Sequence, residues 1–100
     1  MKTIKLNENT PRNTVVMIVG EAHKASEPHF LYVSEDGKLS PFWRNRDGSW
    51  NFCGAFRDWD GAGHQHWYGY QVAVIASHVT HPSKIKINDC VRAYKKWVRS

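Results

Sequence analysis

His29-Phe30-Leu31-Tyr32-Val33-Ser34-Glu35-Asp36-Gly37-Lys38-Leu39-Ser40-Pro41-Phe42-Trp43 is the stretch from which the fold is read. Residues 29–33 are rich in aromatic and branched side chains, with Phe30 and Tyr32 on one face, and predict a strand. Glu35-Asp36-Gly37-Lys38 supplies turn chemistry, because glycine accepts the positive φ that a tight hairpin requires. Residues 39–43 are the returning strand. The Asp-Gly signal recurs in Asn45-Arg46-Asp47-Gly48, and Ser49-Trp50-Asn51-Phe52 then alternates, placing Trp50 and Phe52 on one face. A three-stranded antiparallel meander over residues 29–53 follows.

Working outward, residues 7–13 read as a turn, and Thr14-Val15-Val16-Met17-Ile18-Val19, ended by Gly20, reads as a buried strand. Residues 21–28 are polar and end in proline, so they are a loop. On the other side, glycines punctuate residues 53–63 and break any periodicity. Residues 67–76 are the longest strand candidate, with Tyr68, Tyr70, Val72 and Val74 on one face and Trp67, Gln71, Ala73 and Ile75 on the other. Both faces are largely apolar, which places this strand centrally. A turn over residues 78–82 leads to Lys84-Ile85-Lys86-Ile87, read as a short alternating strand. A helix over residues 89–99 ends the chain, with Asn88 as N-cap and Asp89 at the positive end of the helix dipole. The expected fold is a single α+β domain: a twisted, mainly antiparallel sheet of five or six strands, with the C-terminal helix packed on one face through Val91, Tyr94, Trp97 and Val98.

One hundred residues make one domain, and 41% apolar with 23% charged residues is too hydrophobic for a disordered chain. No apolar run approaches the roughly 20 residues that cross a bilayer, and Met1-Lys2-Thr3-Ile4-Lys5-Leu6 lacks the apolar centre of a signal peptide. The expectation is a cytoplasmic protein without a membrane partner, in which Cys53 and Cys90 are reduced. The net charge of +5 sits on residues 83–100, where Lys84, Lys86, Arg92, Lys95, Lys96 and Arg99 face Asp89 alone. Such a segment is either a solvated helix face or a surface for an acidic partner.

Nine of the thirteen aromatic residues fall within residues 42–70, interleaved with Arg44, Arg46, Arg57, Asp47, Asp58, Asp60, His64 and His66. This mixture is too polar to be core throughout. Such residue types serve three chemistries. His64 and His66, with His78 and His81, have side chains that coordinate zinc, but their spacing matches no standard finger and no acidic residue accompanies them. Cys53 beside Gly54 has no diagnostic partner spacing for a nucleophile, and Asp58 and Asp60 on a glycine-rich segment pair with Arg57 or water rather than forming an acid and base. Trp43-Arg44-Asn45-Arg46 with Trp50 and Phe52 has the composition that stacks on single-stranded bases, yet its net charge is neutral across the aromatic segment.

Three patches carry a resemblance: Pro11-Arg12-Asn13-Thr14-Val15-Val16-Met17-Ile18-Val19, Asp47-Gly48-Ser49-Trp50 and Val79-Thr80-His81-Pro82. Through them the chain resembles the short, tryptophan-rich, single-domain β proteins of phages and prophages. The resemblance implies an accessory or inhibitory binding role, and the basic C-terminal helix lies outside it. The function expected is non-enzymatic binding to a host or cognate protein, with single-stranded nucleic acid and zinc as alternatives. No cofactor or metal is called for. Exposed Trp and Arg are the usual anchors of an interface, so the partner-binding residues expected are Arg57 and Trp59 in the irregular loop, Trp43 and Arg44, and Arg92, Lys95, Lys96 and Arg99 on the helix.

Overall fold

The β-branched run near the N-terminus forms β2 (Thr14–Ile18), whose residues are all buried because apolar material covers both of its faces. In the computed structural model, which describes residues 2–20, 27–52 and 67–99, β2 lies between β3 (His29–Val33) and β6 (Gln71–Ala76). Beyond β3 come β4 (Leu39–Arg44) and β5 (Trp50–Phe52), and beyond β6 comes β1 (Ile4–Lys5). The six strands make one sheet of order β1-β6-β2-β3-β4-β5, antiparallel at every pairing. A short 3-10 helix (Pro82–Lys84) precedes α1 (Ile87–Arg99), which lies on one face of the sheet. The architecture is the α+β class that the sequence predicts.

The expected meander forms through two turns of the same construction. In the first, Ser34 N–H donates to Lys38 O (2.9 Å) and Gly37 N–H to Ser34 O (3.0 Å); in the second, Asn45 N–H donates to Ser49 O (2.8 Å) and Gly48 N–H to Asn45 O (3.0 Å). Gly37 and Gly48 stand at φ 84° and 90°, which glycine adopts without Cβ strain. An aspartate braces each turn: Asp36 accepts from the Ser34 hydroxyl, and Asp47 accepts from the Ser49 hydroxyl and backbone N–H. These bonds hold both carboxyls below the usual carboxylate range, the serine hydroxyl being the main cause in each case.

Strand alternation produces two cores. On the α1 side, Val15, Met17, Phe30, Tyr32 and Phe42 pack with Cys90 and Trp97. On the far side, Leu6, Val16, Ile18, Leu31, Val33, Leu39 and Val72 form a second cluster, with Trp67 and Tyr68 against it. Tyr32 ties the first core to the segment before α1, since its hydroxyl donates to the Val79 carbonyl at 2.7 Å.

Five expectations are corrected. Lys84-Ile85-Lys86-Ile87 is not a strand: Nδ1 of His81 accepts from the Ser83 N–H and caps the 3-10 helix, Pro82 stands in its first turn, and Ile87 already begins α1. The helix therefore starts before Asn88, which is not its cap, while Asp89 does occupy the first turn. The long strand begins at Gln71 rather than at residue 67, because Gly69 at φ 98° turns the chain and donates its N–H to Leu6 O. That strand is second from the edge, the edge being β1, which is too short to show a period of its own. Finally, the stripe of α1 that meets the sheet runs through Cys90, Ala93, Tyr94 and Trp97 rather than through Val91 and Val98, and Val98 is 42% exposed. The small side chains of Cys90 and Ala93 let the helix backbone close on the sheet, which rotates the stripe about one position from the valines.

Candidate partner-binding surface

Because α1 turns Cys90, Ala93 and Trp97 downward, positions 92, 95, 96 and 99 face outward. Arg92, Lys95, Lys96 and Arg99 are all exposed. Asp89 pairs with Arg92 at 3.3 Å, one turn apart, and the other three cations form no ion pair among the described residues. Lys96 and Arg99 stand in the last turn, where the helix dipole favours positive charge.

A channel flanks the helix on each side. Between α1 and β6 lies a groove of about 370 Å³ walled by Val74, Ile75 and Ala93, with Arg92 and Lys96 at its rim. Val74, opposite Val16 and in step with Val72, turns its side chain to the other face of the sheet, where it is 39% exposed. The β6 backbone bulges beside it: Val15 pairs with Ala76 and Val16 with Val74, so Ile75 is the extra residue, and Ile75 and Ala76 both turn toward the helix-side core. On the other side, a cleft of about 290 Å³ lies between Tyr94 of α1 and the β4–β5 turn, lined by Arg44, Asn45, Arg46 and Gly48, with Glu27 and Pro28 closing it.

Trp43 and Arg44 are separated by the strand period. Arg44 lies opposite Trp50 on the helix side, whereas Trp43 lies opposite His29 on the far face. The Trp43 ring is stacked on His29 at 5.4 Å and 16°, and His29 is tilted against Trp67 at 6.4 Å. On the helix side, Phe30, Phe42 and Phe52 stack in a ladder across three strands, with centroids 5.3 and 5.5 Å apart, and Trp50 lies against all three. The ladder runs from the core to Phe52, which is 43% exposed. On this face the described aromatic residues thus serve the core first, and Phe52 reaches the surface at the sheet edge.

Arg57 and Trp59 lie outside the described residues, as do Cys53, Asp58, Asp60, His64 and His66. His78 and His81 are exposed, and His81 is engaged in capping. Among the described residues no three His, Cys, Asp or Glu side chains are placed to hold a metal ion. Cys90 is a free, buried thiol, pushed up to about 12 by burial and by the neighbouring Asp89 carboxylate, so it is no nucleophile near neutrality. No helix among the described residues is long and apolar enough to cross a membrane.

Sequence periodicity shows the helix cations but not the cleft beside Tyr94, which joins β4 to a helix far along the chain. Arg46 and Glu27 gain their relevance only from that contact. The chain matches no protein-family model, no curated protein and no solved structure.

Proposed function

We propose that this protein is a non-enzymatic binding protein whose helix-bearing face docks an acidic surface of a partner protein. The observation that carries the reading is the outward set Arg92, Lys95, Lys96 and Arg99 beside exposed Val98 and the groove lined by Ile75 and Ala93: cations next to aliphatic side chains suit an acidic protein surface with apolar contacts at its centre. The resemblance to short phage proteins supports an accessory or inhibitory role toward a host protein. A second reading, single-stranded nucleic acid, is favoured by one feature, the aromatic ladder that ends at Phe52 on the same sheet face as Arg44.

A pull-down from bacterial lysate with and without nuclease separates the two readings. The captured protein is expected to be acidic and nuclease-resistant, and to be lost from the double variant Arg92→Glu, Lys96→Glu. Trp59→Ala and Arg57→Ala in the same assay report whether the segment at residues 53–63 contributes anchors of about 2 kcal/mol or more. Capture that depends on nucleic acid, or that survives the helix reversal but fails with Trp59→Ala, would place the partner elsewhere.

A further inference from the structure

We infer that the cleft between the β4–β5 turn and α1 is a binding site for a single carboxylate group. Arg44 is the residue that calls for one. It is half-buried, its Nε–H is enclosed without a hydrogen-bond partner, and no carboxylate of the described residues pairs with it. A buried N–H normally has an acceptor, so an unmet one on an arginine that lines a cleft marks a place where a small shift of the side chain would bring it to an acceptor from outside. Backbone fixes where this arginine stands: its N–H donates to Pro28 O at 3.2 Å, and its Nη2 lies 3.5 Å from the position that a Cβ on Gly48 would occupy. The side chain rests against the glycine turn with Arg46 in the same cleft and Tyr94 as the opposite wall.

The charge of the cleft selects the ligand. The residues that line the cleft include two arginines and one carboxylate residue, Glu27, which leaves one positive charge in excess. A carboxylate neutralises that excess, whereas a phosphate group with its charge near −2 would overshoot it and meet Glu27 as a like charge. The planar guanidinium also matches a carboxylate edge to edge with two parallel hydrogen bonds. The carboxylate is an aspartate or glutamate side chain or a chain terminus; both present the same two oxygens. This site does not depend on the docking of a partner along α1.

Titration of the isotopically labelled protein, followed through the Arg44 Nε–H and the Gly48 amide resonances, tests the site. The probes are acetyl-Gly-Glu-Gly-amide, acetyl-Gly-Gly-Gly with a free carboxyl end, neutral acetyl-Gly-Gln-Gly-amide, inorganic phosphate and sodium chloride at matched ionic strength. Saturable shifts with either carboxylate peptide and none with the neutral peptide are expected, and the better of the two identifies the source. Arg44→Lys, which keeps the charge and loses the fork, weakens the affinity about tenfold, the equivalent of one charge-assisted hydrogen bond. Arg46→Ala, at an exposed position that leaves the fold intact, also weakens it, and Glu27→Gln tightens it. Shifts no larger than those with chloride, saturation by phosphate at lower concentration than by either carboxylate, or an affinity unchanged in Arg44→Lys overturns the assignment.

Discussion

The Tyr32 hydroxyl donates to the Val79 carbonyl at 2.7 Å across a buried contact between the middle of the sheet and the segment that leads into α1. Val79 is itself held by its N–H, which donates to Asn13 O at 2.8 Å. Burial, and secondarily the Glu35 carboxylate, keeps the tyrosine above its ordinary 10.0 and therefore protonated as a donor at neutral pH. Tyr32→Phe leaves the Val79 carbonyl buried without this donor, at a cost of about 1.5 kcal/mol. Thermal unfolding is expected to fall by about 5 °C or more. An unchanged midpoint would mean that water reaches that carbonyl.

Cys90 makes stability depend on alkaline pH. The folded thiol is raised from 9.0 to about 12, so above pH 9 the unfolded chain releases this proton while the folded chain retains it until about 12. The unfolded state then binds fewer protons, and stability falls through that window by up to about 1.4 kcal/mol per pH unit, being fully present below it. Denaturant midpoints measured from pH 8 to 11 are expected to decline more steeply in the wild type than in Cys90→Ala.

How much of this was legible in the sequence varies with the range of the interaction. Asp36-Gly37 and Asp47-Gly48 announce their hairpins because turn chemistry is local. The cations of α1 were legible because a helix repeats within four residues. Lys84-Ile85-Lys86-Ile87 misled because four alternating residues also fit a proline-started turn entering a helix, and the His81 cap that decides the matter is a side-chain contact. β1 was hidden because two residues carry no period. The approach of Arg44 to Tyr94 is non-local and follows only from the packing of α1 across the sheet.

Trp97 is the largest side chain that α1 buries, and its ring meets Tyr94 edge-on at 6.1 Å and 70°. Trp97→Ala removes it from the core beside Met17 and Phe30 and is expected to cost on the order of 3 kcal/mol. Urea unfolding provides the measure. A loss below about 1 kcal/mol would show that the helix is held by Cys90 and Ala93 without the indole.

Gly37 stands at φ 84°, and a Cβ there would come within 3.2 Å of the Arg12 guanidinium, which donates from Nη1 to Glu35 O. Gly37→Ala combines left-handed strain of about 1–2 kcal/mol with displacement of that arginine. Gly69→Ala meets no atom within 4 Å although its φ is 98°, so it carries the strain alone. Gly37→Ala is therefore expected to destabilise more than Gly69→Ala when their melting temperatures are compared.

The pairing of Ile4 with Val72 sets the order in which the sheet assembles. β2 to β5 are joined in sequence order, each to its successor, whereas β6 must return across the whole meander before β1 finds its neighbour. Chain entropy makes such distant closure slow, so the meander is the early folding unit and the β1–β6 edge docks late. The same edge is expected to open before the meander once the protein is folded. In native-state hydrogen exchange, the Leu6 and Gly69 amides, which seal that edge by bonds of 2.8 Å, are expected to lose protection at lower denaturant than those of Leu31 and Phe42.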